Sequence, residues 1–307
     1  MSESIVLASY TPEQIRTAAP QEFSDALERG QIVQFPECPF ELPAASDLER
    51  LRRELPQQLK LKNVSYHPET DRVHGLDDAA DLAALARRVL KEHSDRLQVF
   101  LDQAMPTLTR GSSVGTCSFR PIQEKGRDLK PHASNELVHI DAGAYGATNG
   151  DRIFRFFVNV NPNEARVWVT KGAFPELYAI YGEAAGITSA QRSSQSLEKG
   201  PLDHVRTRLL KGIADLGLPI AMLLDSSPYD RVMRRFHNFM KDTPEFQANT
   251  DNHLELRFKP FSAWMVLTDM VSHASLSGQH ALVSTFIVPL ENCQLKDMAP
   301  INILRAA

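Results

Sequence analysis

The clearest periodic pattern lies in DDAADLAALARRVLKEHSDRLQVFLDQAM, from Asp77, where Leu82, Leu85, Val89 and Leu97 recur at mostly helical spacings with Arg87, Arg88, Lys91 and Glu92 between them. Such spacing lines one face of an α-helix with apolar side chains and predicts the strongest helix of the chain. Upstream, QEFSDALERG reads as a short helix closed by Gly30, and Ile32 to Phe35, stopped by Pro36, reads as a strand. After Pro106 the character changes to short β-branched or aromatic segments bounded by Gly, Pro, Asn or Ser: SSVGTCSFRPI, ELVHIDA, RIFRFFVNVNP, ARVWVT, HLELRF, SAWMVLTDMVSHA and HALVSTFIVP. Between ARVWVT and HLELRF the helical pattern returns in FPELYAIYG, PLDHVRTRLLKGIADL and SPYDRVMRRFHNFM. Strands interrupted by helices predict an α+β class with helices packed on a β-core. With no repeat or clear linker, residues 1–307 read as one domain: a mostly helical part at 1–106 and a strand core at 107–290, with a helical insertion at about 174–246.

Composition narrows this picture. A chain of 307 residues with 42% hydrophobic content can bury a full core. The balance of 34 basic against 38 acidic residues, net −4, excludes the basic footprint of a general nucleic-acid binder. Cys38, Cys117 and Cys293 are odd in number, scattered and free of any CxxC pattern, which suits a reducing compartment. No run approaches the roughly 18 apolar residues that span a bilayer, and MSESIVLASYTPEQ lacks signal-peptide character. The expectation is a cytoplasmic protein, at most peripheral to the inner membrane. Arg206, Arg208 and Lys211 lead into GIADLGLPIAMLL, with Arg231, Arg234 and Arg235 following. Basic and apolar surface side by side would suit an anionic membrane; the plainer reading is solvated faces around a buried helix.

Candidate chemistry centres on ELVHIDA. His139 and Asp141 are two residues apart, so the pleat of a strand sends both to one face, where they can chelate one ion. Two histidines and a carboxylate would leave adjacent octahedral positions open for a keto acid and O₂. His273, at the end of the apolar run WMVLTDMVSH, is the favoured third ligand over His280, which follows Gly278 in a turn. His204 and His237 sit in basic helical patterns and read as solvated or cap-lining, and His253 reads as a strand-edge residue. Trp168 and Trp264 read as core. Asp269 reads equally as an acceptor orienting the nearby histidine or as a solvent-facing carboxylate.

From Glu136 to Pro289 the sequence resembles the Kdo hydroxylases, bacterial oxygenases acting on 3-deoxy-D-manno-oct-2-ulosonic acid (Kdo) of the lipopolysaccharide inner core. The residues that carry this are ELVHIDA, RIFRFFVNVNPNEARVWVT, SPYDRVMRRFHNFMK and TDMVSHASLSGQHALVSTFIVP, with looser likeness in GQIVQFP and LKNVSYHPETDRVHG. The resemblance implies a double-stranded β-helix, or jelly roll, and hydroxylation of the sugar at C3 by Fe(II), 2-oxoglutarate and O₂, with ascorbate keeping the iron reduced. His139, Asp141 and His273 match the family's metal motif, and the implied acceptor is Kdo already joined to a lipid A precursor. Many related oxygenases place an arginine for 2-oxoglutarate on the last core strand, where this chain has Val283. Arg155 or Arg166 then becomes the candidate anchor for the distal carboxylate, since a guanidinium matches it bidentately. Thr285, on the same face as Val283, is a weaker candidate beside an ordinary strand role. Two other readings keep the fold: a hydroxylase of another small molecule or protein, and a non-catalytic metal- or sugar-binding jelly roll.

Overall fold

Residues 6–76, 81–143, 146–189, 197–215 and 225–307 are described by the structure, a computed structural model. The strands are β1 (Leu7–Ser9), β2 (Ile32–Phe35), β3 (Val64–His67), β4 (Arg72–His74), β5 (Ser113–Arg120), β6 (Arg152–Asn159), β7 (Arg166–Thr170), β8 (Leu254–Phe258), β9 (Ala263–Leu267), β10 (Ala274–Ser277) and β11 (Ala281–Val288). The helices are α1 (Pro12–Thr17), α2 (Pro20–Glu28), α3 (Ala45–Gln58), α4 (Asp81–Ala104), α5 (Phe174–Tyr181), α6 (Pro201–Asp215), α7 (Pro228–Asp242), α8 (Pro244–Ala248) and α9 (Pro300–Ala306). An 8-stranded sheet runs β1-β2-β9-β6-β11-β5-β3-β4, and a 3-stranded sheet runs β10-β7-β8. This is the α+β jelly-roll core with N-terminal helices and a helical insertion that the sequence predicts.

Strand alternation divides the large sheet into two faces. Phe156 on β6 points toward the N-terminal helices and meets Phe35 of β2 at 6.2 Å and Phe100 of α4 at 6.1 Å between ring centroids. Phe157, one residue on, points the other way and stacks on Trp264 at 5.1 Å, with Trp168 of the small sheet edge-on at 4.8 Å. Full burial of one such side chain contributes about 1.5–3 kcal/mol, so these two clusters clamp the layers together. The cross-strand register Thr285↔Arg155 and Val283↔Phe157, with Ala281↔Asn159 and Ala281↔Arg120, sets Arg120 of β5 on the same inner face as Arg155.

Several sequence expectations change in detail. ELVHIDA is not a strand: among its residues only His139 makes a bridge, to His273. On its other edge the Gln247 side chain bonds both Val138 N (3.0 Å) and Val138 O (2.9 Å), taking the place of a neighbouring strand. SAWMVLTDMVSHA divides into β9, a turn, and β10, so His273 precedes a strand rather than ending one. Helix α3 was not anticipated, although its buried Leu48, Leu51 and Leu55 recur at helical spacing. The long helix is described from Asp81; residues 77–80 and most of GIADLGLPIAMLL, at 216–224, lie outside the described residues.

Asp269 sits in the turn after β9 and is 1% exposed. Its carboxylate accepts from Arg152 Nε at 2.6 Å and from Ile153 N at 3.3 Å, and Arg152 is fully buried. Asp269 is therefore neither solvent-facing nor bonded to His273. Removing one partner of a buried pair strands the other charge. Asp269→Ala is expected to cost about 3–5 kcal/mol in urea denaturation, and the double change Arg152→Met with Asp269→Leu to recover most of that loss. Equal destabilisation by the single and double variants would contradict this account.

Candidate metal centre

Two chain segments far apart in sequence meet through backbone bonds. His139 N donates to His273 O at 3.1 Å and His273 N donates to His139 O at 2.8 Å. A reciprocal antiparallel pair of this kind puts both side chains on the same side, and the imidazole centroids stand 4.6 Å apart. Asp141 N donates to Thr268 O at 2.8 Å, which brings the carboxylate to the same place. One ligand atom from each of His139, Asp141 and His273 lies within 4.8 Å of the others.

The imidazoles are oriented by their own segments. His139 Nδ1 faces Leu137 O at 2.7 Å and His273 Nδ1 faces Val271 O at 3.0 Å. A carbonyl can only accept, so each Nδ1 carries the proton and each Nε2 keeps its lone pair for an ion. Burial pushes the His139 imidazole down to about 3 and lowers His273 as well, so both are neutral at physiological pH. Burial opposes charge on Asp141, but the Arg155 guanidinium, 3.0 Å from Oδ2, outweighs it and holds the carboxyl well below its ordinary range. Two neutral imidazoles and one carboxylate form the facial donor set that suits Fe(II) with open positions.

These residues line a cavity of about 290 Å³ whose wall also includes Lys62, Arg120, Arg155, Arg166 and Lys241. Glu124, 2% exposed, gathers three guanidiniums: Arg166 at 2.9 Å, Arg127 at 3.6 Å and Arg120 at 3.8 Å. Arg166 Nε and Nη1 and Arg120 Nε are buried without hydrogen-bond partners. A Cβ at Gly278, where φ is +136°, would lie 2.5 Å from Arg166 Cγ, so the glycine leaves room for that side chain.

Of the residues singled out in the sequence, Arg155 and Arg166 line the cavity, whereas Thr285 lies opposite Arg155 on β11 and is not among the lining residues. Trp264 is core, but Trp168 lines the cavity and stacks on His273 at 5.2 Å and 22°. His237 is cap-lining: it projects from α7 with its ring 5.1 Å from His139 and its Nδ1 2.7 Å from Ile140 O. His280 borders a separate surface hollow with Arg52 and Asn161. Arg120, Lys62, Lys241 and Glu124 were missed. For Arg120 the signal was present, an arginine on the inward phase of SSVGTCSFRPI.

His139→Ala, Asp141→Ala and His273→Ala are each expected to weaken Co(II) binding by about 100-fold or more in calorimetric titration, while His280→Ala binds like the unsubstituted chain. Unimpaired binding in His273→Ala would remove His273 from the donor set.

A family sequence profile described as "3-deoxy-D-manno-oct-2-ulosonic acid (Kdo) hydroxylase" matches residues 11–307. No curated protein sequence matches the chain. Among solved structures, the Kdo hydroxylase KdoO in complex with alphaketoglutarate and Fe(III) is 23% identical, with a TM-score of 0.79 over 98% of this chain and 95% of that one. KdoO in complex with cobalt(II) is 24% identical, with a TM-score of 0.79 and the same coverage. Its complex with succinate and Fe(III) is 23% identical, with a TM-score of 0.77 over 98% and 94%. At these identities the structures establish a shared fold, and with a profile match across nearly its whole length, the chain belongs to the Kdo hydroxylase family.

Proposed function

We propose that this protein hydroxylates Kdo at C3 within a Kdo-lipid A precursor, with His139, Asp141 and His273 holding Fe(II). The observation that carries this reading is the convergence of that donor set with a cation-rich cavity in a chain of this family. Iron and 2-oxoglutarate, when bound, supply oxidative decarboxylation of the keto acid coupled to transfer of one oxygen atom from O₂ to the sugar. Ascorbate serves to keep the iron reduced.

The chain's own groups bind, orient and exclude water. Arg166, supported by Arg120, receives the distal carboxylate of 2-oxoglutarate, because its free Nε and Nη1 can form charge-assisted bonds while Glu124 fixes Nη2. Arg155 holds Asp141 ionised. Trp168 braces His273, and Phe157 beside it keeps the cavity floor dry. Two anions, the dianionic cosubstrate and a polyanionic glycolipid, fit the excess of basic over acidic side chains in the lining.

No helix of the described residues is long and apolar enough to cross a membrane. Contact with a lipid-linked acceptor instead falls to α6, where Leu202 (85% exposed), Val205 (51%) and Leu209 (65%) form one apolar helix face with exposed Arg206 and Arg208 alongside. The reading is a peripheral protein at the anionic inner membrane.

Incubation with Kdo-lipid A, Fe(II) and 2-oxoglutarate is expected to give product heavier by one oxygen, placed at C3 by NMR, with equimolar succinate. Arg166→Ala is expected to raise the half-saturating 2-oxoglutarate concentration by about 10–100-fold, the loss of a charge-assisted bond, with Co(II) binding retained. Succinate formation without an oxidised Kdo acceptor would favour the reading in which another small molecule or protein is the substrate, and no succinate at all would favour the binding module. In sedimentation with anionic vesicles, binding at low salt should fall as salt rises and in Leu202→Ser/Leu209→Ser; a chain that stays in the supernatant at low salt rejects the membrane face.

A further inference from the structure

The strand side of the cavity and its roof carry different cations. Arg120, Arg155 and Arg166 stand on strands, and each has a carboxylate within 4.0 Å, Glu124 or Asp141. Lys241 comes from α7, one turn beyond His237 on the same helix face, and is 6% exposed. Its Nζ is held by two backbone carbonyls, Ser134 O at 2.9 Å and His132 O at 3.3 Å. Lys62 Nζ reaches Ala133 O of the same turn at 3.5 Å, so two ammonium groups bracket one short segment of chain at the cavity wall. Among the described residues neither lysine has an ion-pair partner; Asp242, the acid adjacent in sequence to Lys241, is engaged by His132 at 2.7 Å.

A buried cation held only by carbonyls is incompletely compensated. Burial, and then Lys62, pull the Lys241 ammonium down to about 8 against the raising effect of Asp141. Arriving negative charge would relieve that penalty. The two carboxylates of 2-oxoglutarate are already committed in the hydroxylase reading, one at the metal and one at Arg166. The acceptor brings its own: in Kdo the C1 carboxylate is attached to C2, which is bonded to the carbon to be oxidised. An anchor for that carboxylate must therefore stand beside the metal but off the cosubstrate cradle, and α7, which presents Lys241 next to His237 over His139, occupies that position.

We infer that Lys241, assisted by Lys62, is the specificity-determining anchor that binds the sugar carboxylate of the acceptor and sets C3 toward the metal. The inference rests on the hydroxylase reading and names the substrate contact within it. It also gives the helical insertion a role in the chemistry: without α7 the cavity keeps its strand arginines and the exposed Lys62 but loses the buried cation of its roof.

The test is steady-state kinetics with three acceptors: Kdo-lipid A, the same acceptor with its sugar carboxylate capped as the methyl amide, and the acceptor stripped of lipid A phosphates. Lys241→Met is expected to raise the acceptor KM about 10–100-fold, with the 2-oxoglutarate KM moving less than twofold and Lys241→Arg recovering part of the loss. Capping the carboxylate should cost the unsubstituted enzyme a similar factor and cost Lys241→Met little more, the non-additivity of two changes to one contact. Phosphate removal should leave the Lys241 dependence intact. Exposed Lys62, whose replacement does not threaten the fold, should give a smaller rise in acceptor KM as Lys62→Met. A rise in the 2-oxoglutarate KM instead, equal turnover of capped and free acids, or a Lys241 dependence that vanishes with the phosphates would each overturn the assignment while leaving the hydroxylase reading standing. An unsubstituted enzyme that oxidises no Kdo acceptor would defeat both.

Discussion

The reciprocal backbone pair between His139 and His273 is the constraint on which the site depends. Neither histidine lies within a regular strand, and each segment is otherwise held by turns and side chains. Two backbone bonds make the imidazoles neighbours, and a third, from Asp141 N to Thr268 O, adds the carboxylate. Metal ligands placed by main-chain bonds are less free to shift than ligands placed by side-chain packing alone. The Nδ1 contacts to Leu137 O and Val271 O then fix ring orientation within each segment, so three donors are aligned before any ion arrives.

Around those donors the protein arranges more basic than acidic charge, and it separates that charge by means of support. Glu124 restrains Arg120, Arg127 and Arg166 as a group while leaving individual guanidinium nitrogens free. A single buried carboxylate among three arginines keeps them from repelling one another apart yet cannot satisfy them all. The roof lysines differ: their supports are carbonyl dipoles, which locate an ammonium without neutralising it. The cavity thus carries two kinds of cation, rigid planar forks on the strands and a compact point charge on the helix.

What was legible in the sequence was whatever depended on local periodicity. The long helix, the inward phase of β6 with Arg155 and Phe157, and the pairing of His139 with Asp141 all follow from residues close in the chain. ELVHIDA was misread as a strand because alternation is necessary for a strand but a neighbour with free backbone groups is also needed, and Gln247, more than a hundred residues away, supplies side-chain bonds instead. Glu124 and Lys241 gave no local signal, since an acid in a loop and a lysine on a basic helix usually face water. Their roles arise from long-range placement, Glu124 against β7 and Lys241 against the 131–134 turn. Trp168 was read as core, and it is buried; the sequence could not show that the surface it covers is an imidazole.

Asp269 illustrates how a residue near a metal motif can matter without touching it. The sequence left it as an acceptor for the histidine or a solvated carboxylate, and it is bonded to Arg152 and to Ile153 N instead. That places a buried ion pair at the first residues of β6 and at the turn leaving β9. The same turn presents Thr268 O to Asp141 N and Val271 O to His273 Nδ1, with Met270 N and Val271 N both closing back on Leu267 O. Pinning the turn at Asp269 therefore fixes, through the main chain, the position of the Asp141 carboxylate and the tilt of the His273 imidazole. A direct carboxylate–imidazole bond would have made His273 more basic and favoured its protonated form; a carbonyl acceptor on a turn held by a separate ion pair keeps the ring oriented and neutral, the state the proposed iron centre requires.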